Sequence, residues 1–150
     1  MKLTGEITVN APREKVFNAL RDARFFASCI DGVRDLNEVD DTHYTALFET
    51  RVAYLKFKFN VTVELTKVEP PDTIEAKVEG VPLGVVGRLT ARSLTRLVEA
   101  GAETKVQYES ESTLAGKLGS IGQPVLRAKA KEMEKQFAKR LQAAFAASES

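Results

Sequence analysis

The sequence predicts an α+β fold: a curved antiparallel sheet of about seven strands wrapped around one long C-terminal helix, with two short helices after the first strand. Three observations predict it. Apolar and polar residues alternate through most of the chain up to Leu114, the period of strands with one dry and one wet face. Glycine and proline clusters interrupt that alternation where turns are needed. Beyond Gly116 the apolar period changes to three and four, which belongs to a helix.

The elements follow in order. Leu3, Gly5, Ile7 and Val9 alternate with Thr4, Glu6 and Thr8 as a half-buried strand. Asn10-Ala11-Pro12 ends it, and Pro12 suits the first turn of a helix whose apolar side is Val16, Phe17 and Leu20. A second short helical or looped piece, Asp22 to Cys29, carries Phe25 and Phe26 and ends near Asp31-Gly32. Tyr44, Ala46, Phe48, Thr50 and Val52 share one face of the next alternating segment. The clearest run sets Leu55, Phe57, Phe59, Val61, Val63 and Leu65 against Lys56, Lys58, Asn60, Thr62 and Glu64. Pro70-Pro71-Asp72 turns the chain into Ile74, Ala76 and Val78. A strand from about Val85 to Val98 exposes Arg88, Arg92 and Arg96, although Leu94 breaks its alternation. The chain turns at Ala100-Gly101 and returns through Val106, Tyr108 and Ser110.

The closing helix is expected from Ser120 to Phe145, roughly 40 Å at 1.5 Å per residue. Ser120 and Gln123 have capping-box spacing. Pro124 disfavours a helical Gln123, so the start falls at either residue. Leu126, Ala130, Met133, Phe137, Leu141 and Ala144 form one apolar stripe that needs a wide dry surface, and the sheet supplies it. A curved sheet gripping a single helix leaves volume between the layers. An apolar pocket with a few polar groups is the default ligand site.

Composition narrows the function. The 150 residues fit one domain, residues 1–147, with residues 148–150 frayed. Twenty-two basic and 21 acidic side chains give a net charge of +1, without the basic excess of a nucleic-acid binder. The single Cys29 rules out an internal disulfide. No signal-peptide or membrane-spanning run is present, so a cytoplasmic place is expected, with peripheral contact at the inner face of the membrane as its extension.

Three stretches carry a family resemblance: APREKVFNALRD (Ala11 to Asp22), CIDGV (Cys29 to Val33) and GKLGSIGQPVLRAKAKEMEKQF (Gly116 to Phe137). With them, essentially the whole chain resembles the carbon monoxide dehydrogenase G-subunit family, within the helix-grip, START-like (SRPBCC) superfamily. The resemblance implies a helix-grip fold and a non-enzymatic accessory to a molybdenum-hydroxylase-type dehydrogenase. Such proteins are associated with recruiting the enzyme to the membrane or shuttling a hydrophobic electron acceptor such as a quinone. The family commonly has proline where this chain has Asp31, and some members continue in a membrane-linked tail where this sequence stops at Ser150.

Candidate cavity residues are Phe25, Phe26, Ile30, Phe48, Tyr54, Phe57, Phe59, Leu83, Tyr108, Ser110, Met133 and Phe137. Each aromatic taken alone reads better as core filling, worth roughly 1.5–3 kcal/mol when buried, whereas the set in this fold points to a pocket. Alternation places Tyr108, Ser110 and Ser112 inward with Val106 and Leu114. Hydroxyls there mean either a partly polar cavity or a strand end turning to solvent. Arg127, Lys131, Lys135 and Lys139 stack along one helix flank, as a solvated face or as a transient contact for an anionic membrane or acidic partner. No catalytic residue, metal site or covalent cofactor is expected, since His43 is alone and Cys29 has no activating neighbour. The expected ligand is a hydrophobic small molecule, a quinone or lipid. A polyketide cyclase or aromatase-like enzyme using the same cavity, or a docking adaptor with no ligand, are the competing readings.

Overall fold

Every alternating segment becomes a strand of one antiparallel sheet in the computed structural model, which describes residues 1–146. The fraying expected at residues 148–150 lies outside the described residues. The strands are β1 (Lys2–Val9), β2 (Val33–Glu38), β3 (His43–Val52), β4 (Leu55–Glu69), β5 (Thr73–Pro82), β6 (Gly87–Ala100) and β7 (Glu103–Gly116). The helices are α1 (Arg13–Arg21), α2 (Ala23–Ser28) and α3 (Gln123–Ala146). Sheet order is β1-β7-β6-β5-β4-β3-β2, so the first strand pairs with the last.

Local chemistry fixes the helix starts. Pro12 stands one residue before the first turn, extended at the N-cap of α1, where its carbonyl accepts from Val16 N–H (3.2 Å), and α1 buries Val16, Phe17 and Leu20. The Asp22 carboxylate then accepts the backbone N–H groups of Arg24 (2.9 Å) and Phe25 (3.3 Å), capping α2. The capping box expected at Ser120 and Gln123 does not form. Lys117–Ser120 is a short 3₁₀ turn in which Ser120 Oγ donates to the Lys117 carbonyl (2.6 Å), and α3 begins at Gln123. Its 24 residues span about 36 Å. Gly116 sits at φ 68°, and a Cβ there would lie 2.7 Å from Gly87 Cα, so glycine is required where β7 bends towards the helix.

Register settles the strand faces. On β7 the inward row is Thr104, Val106, Tyr108, Ser110, Ser112 and Leu114, as alternation predicts. Opposite it on β6 stand Leu97, Thr95, Ser93, Ala91 and Leu89, so Leu94 points to the outer face. The strand expected from Val85 to Val98 runs two residues later, from Gly87 to Ala100.

Two packed clusters anchor the layers. At one end Ile7, Val9, Val16, Phe17, Leu97, Val106 and Leu141 form a dry core with Phe145. At the other, Phe57, Phe59 and Leu118 pack with Phe48, Leu114 and Ile121. The stripe of α3 buries Leu141 and ends on Phe145, while Ala144 is exposed.

Candidate ligand cavity and its mouth

Between the two cores the inner face of the sheet changes character. Ala76 and Val78 on β5, Ala91, Ser93 and Thr95 on β6, and Ser110 and Ser112 on β7 are only partly buried, although they share the face that carries the core. They are neighbours: Ser93 stands opposite both Ser110 and Ala76, Thr95 opposite Tyr108, and Ala91 opposite Ser112 and Val78. Small side chains cannot fill the space under a helix, and α3 approaches the sheet mainly at its flanks, β1 and β3. The hydroxyls of Ser93, Thr95 and Ser110 have no protein partner among the described residues. None of them is a sealed orphan, since Arg13 Nε alone is buried without a partner among the described side chains. The band is therefore open to water. An unpaired hydroxyl here is available to a ligand's carbonyl or hydroxyl.

A second feature lies between β1 and α3. Tyr108 crosses Gly5, its register partner, so closely that a Cβ on Gly5 would collide with the phenol oxygen. The Tyr108 hydroxyl donates to Glu134 Oε2 on α3, tying the two layers. Burial first, and then the Glu134 carboxylate, push the Tyr108 pKa above the ordinary phenol value. Beside this tie runs an open groove of about 450 Å³, lined by Lys2, Leu3, Glu6, Ile7, Arg127, Lys131, Glu134, Lys135 and Ala138.

The expected cavity residues divide. Tyr108 and Ser110 belong to the inner face, and Met133 and Phe137 lie partly buried on α3. Phe26 packs on Phe137 (centroids 5.1 Å) and Phe25 on Phe145 (6.2 Å), so both serve the clamp on α3, with Ile30 partly buried just beyond α2. Phe57 and Phe59 are buried in the second core, with Phe48 6.3 Å from Phe59. Tyr54 is a correction. Continued alternation would turn it inward, but the chain reverses at Ala53 (φ 56°) and leaves Tyr54 98 % exposed at the hairpin tip. Leu83 is a second correction: it is 46 % exposed in the β5–β6 connection, its N–H bonded to the Lys58 carbonyl. Arg127, Lys131 and Lys135 border the groove, whereas Lys139 does not.

Other reactive groups stand apart. His43 Nδ1 lies 2.9 Å from Asp40 and Nε2 3.4 Å from Glu64, on the outer face. Cys29 is buried, and that burial raises its thiol pKa. Sequence reasoning passed over Ser93, Thr95 and Glu134. The exposed series Arg88, Arg92, Arg96 contained the signal for the first two, because it puts the odd-numbered residues of β6 inward.

Sheet, gripping helix and partly hydroxylated inner face define the class: this is a helix-grip, START-like protein. The solved structure of Zhui aromatase/cyclase from Streptomyces sp. R1128 is similar in fold (TM-score 0.71, 13 % identity, covering 96 % of this chain and 92 % of that one). So is that of Ara h 8.0201 (TM-score 0.68, 12 % identity, 98 % of each chain). A conserved protein from Geobacillus kaustophilus is more alike, at TM-score 0.89 and 26 % identity over 99 % of this chain and 97 % of that one. No curated protein matches the chain in sequence. The profile of CoxG, the carbon monoxide dehydrogenase G-subunit family, matches residues 5–146, and the chain belongs to that family. Among the described residues, no helix is long and apolar enough to cross a membrane.

Proposed function

We propose that this protein is a non-enzymatic carrier that holds a hydrophobic small molecule, a quinone or lipid, between the sheet and α3, as an accessory to a carbon monoxide dehydrogenase-like molybdenum hydroxylase. One observation carries the reading: a band of small and hydroxylated residues stays open to solvent between two packed cores, under a helix that leans on its flanks. A core meant only for stability would fill that band with larger side chains. The family supports the accessory role. Tyr108 supports carriage over cyclase-like catalysis. Its hydroxyl is committed to Glu134, and its raised pKa makes it a poor proton donor.

Native mass spectrometry and solvent extraction of the purified chain test this, together with the filling variant Ser93→Leu. Wild type should retain a quinone or lipid, and Ser93→Leu should lose it while keeping a cooperative thermal transition. A wild-type protein that neither co-purifies with nor binds any long-chain quinone or lipid sinks the proposal.

A further inference from the structure

The groove beside Tyr108 carries a charge pattern that a neutral guest does not require. Lys2, Arg127, Lys131 and Lys135 line it, and none has an ion-pair or side-chain hydrogen-bond partner among the described residues. The carboxylates present are already engaged. Glu134 accepts from Tyr108, and Glu6 accepts from Gln107 (3.0 Å) with Lys105 at 4.0 Å. Just around the same helix, Lys129 does have a partner, Glu132 at 3.6 Å. Other cations without an ion-pair partner, such as Lys15, Arg21, Lys77 and Arg92, lie elsewhere, but these four face one groove in a chain whose overall charge is only +1. Arg127, Lys131 and Lys135 also repel one another at i, i+4 spacing, a cost that an anion placed among them removes.

Part of the lining is apolar. Leu3, Ile7, Ala138 and Tyr108 line the same groove as the cations, and Leu3, Ile7 and Tyr108 belong to the inward rows of β1 and β7. At about 450 Å³ the groove falls within the range of small-molecule sites. Cations beside an apolar lining match a molecule with a negative head and a greasy tail.

We infer that the groove between β1 and α3 binds the carboxylate or phosphate head of an acidic amphiphile, with its tail passing Tyr108 towards the band of Ser93, Thr95 and Ser110. This rests on the carrier reading and narrows its ligand to an anionic lipid. The head meets Lys131 and Lys135 from α3 and Lys2 from β1, so both sides of the groove contribute.

The test compares oleate with methyl oleate by isothermal titration calorimetry on the full chain, with inorganic phosphate as a separate arm. Oleate should bind about tenfold or more tightly than methyl oleate at low salt, because a charged head gains from unpaired cations. The gap should shrink at about 0.5 M salt, where exposed charges are screened. Lys131→Gln with Lys135→Gln should abolish the gap and leave the affinity for methyl oleate unchanged. Both side chains are exposed, so a thermal melt should match wild type.

Equal affinities for the two oleoyl compounds overturn the inference and leave the carrier reading standing. So does a double variant that weakens both alike. Inorganic phosphate binding as tightly as oleate overturns it too, by showing a free-anion site in which the tail contributes nothing. Binding of neither compound removes the inference and the lipid form of the carrier reading together.

Discussion

From Gln136 to Phe145, α3 is held on both flanks, whereas from Pro124 to Lys135 one side-chain hydrogen bond among the described residues reaches another element. In the held half, Asp31 accepts from Gln136 and Arg140, each at 2.5 Å, and Gln142 Nε2 donates to the Thr8 carbonyl (3.0 Å). Phe137 and Phe145 meet Phe26 and Phe25, and Leu141 is fully buried. In the other half, Glu134 has Tyr108, while Leu126, Ala130 and Met133 remain partly exposed. The difference teaches that α3 is a cover clamped at its C-terminal end. The looser half is the one beside the groove and the hydroxyl band. Local opening there breaks few contacts, so the proposed ligand would exchange without disruption of the main core.

The comparison can be broken most forcefully at Leu141. Leu141→Ala should cost about 2–5 kcal/mol in urea unfolding, since it leaves a void in a closed core. Met133→Ala, in the looser half, should cost about 1 kcal/mol or less. Equal costs would mean that both halves are packed alike.

The next largest effect is expected at Asp31. Hydrogen bonding from Arg140 lowers its pKa from the ordinary 3.8. A depressed carboxylate stabilises the fold fully above its unfolded pKa and loses that contribution as pH falls through the lower folded value. The stability curves of wild type and Asp31→Asn should therefore diverge near neutrality and converge in acid. Parallel curves would show that the clamp contributes nothing.

A smaller change sharpens the contrast at the other half. Tyr108→Phe should lower global stability by about 1 kcal/mol. Amide exchange around Met133 should speed up, while amides around Leu141 keep wild-type protection. Uniform acceleration along α3 would contradict a helix clamped at one end. The smallest effect is expected for Lys131→Gln, which relieves repulsion with Arg127 and Lys135 and should stabilise by about a few tenths of a kcal/mol at low salt. A measurable loss would mean that Lys131 has a partner in the folded chain.

These halves were unequally legible in sequence. The held half rests on Phe137 and Leu141, both in the stripe of threes and fours, and on Phe145, which takes the buried place that the stripe gave to Ala144. The inward row of β7 was equally plain, because Val106 and Leu114 frame Tyr108, Ser110 and Ser112. On β6, Leu94 placed an apolar residue on the wet face and hid the inward row of Ser93 and Thr95. Tyr54 went astray because Ala53 takes a left-handed conformation that sequence announces only when glycine or asparagine occupies it. Glu134 was not legible, since nothing in a helix pattern shows that a tyrosine from another strand ends beside it.

The pairing of β1 with β7 sets a schedule for synthesis. Thr8 lies opposite Lys105 and Lys2 opposite Glu111, about a hundred residues downstream. At about 5–20 residues per second, roughly 5–20 s pass before the partner strand is translated. Throughout that interval Leu3, Ile7 and Val9 have no native edge to join, and contacts so distant in sequence also slow closure. Of the seven strands, the earliest in sequence waits for the latest before it has an edge to join.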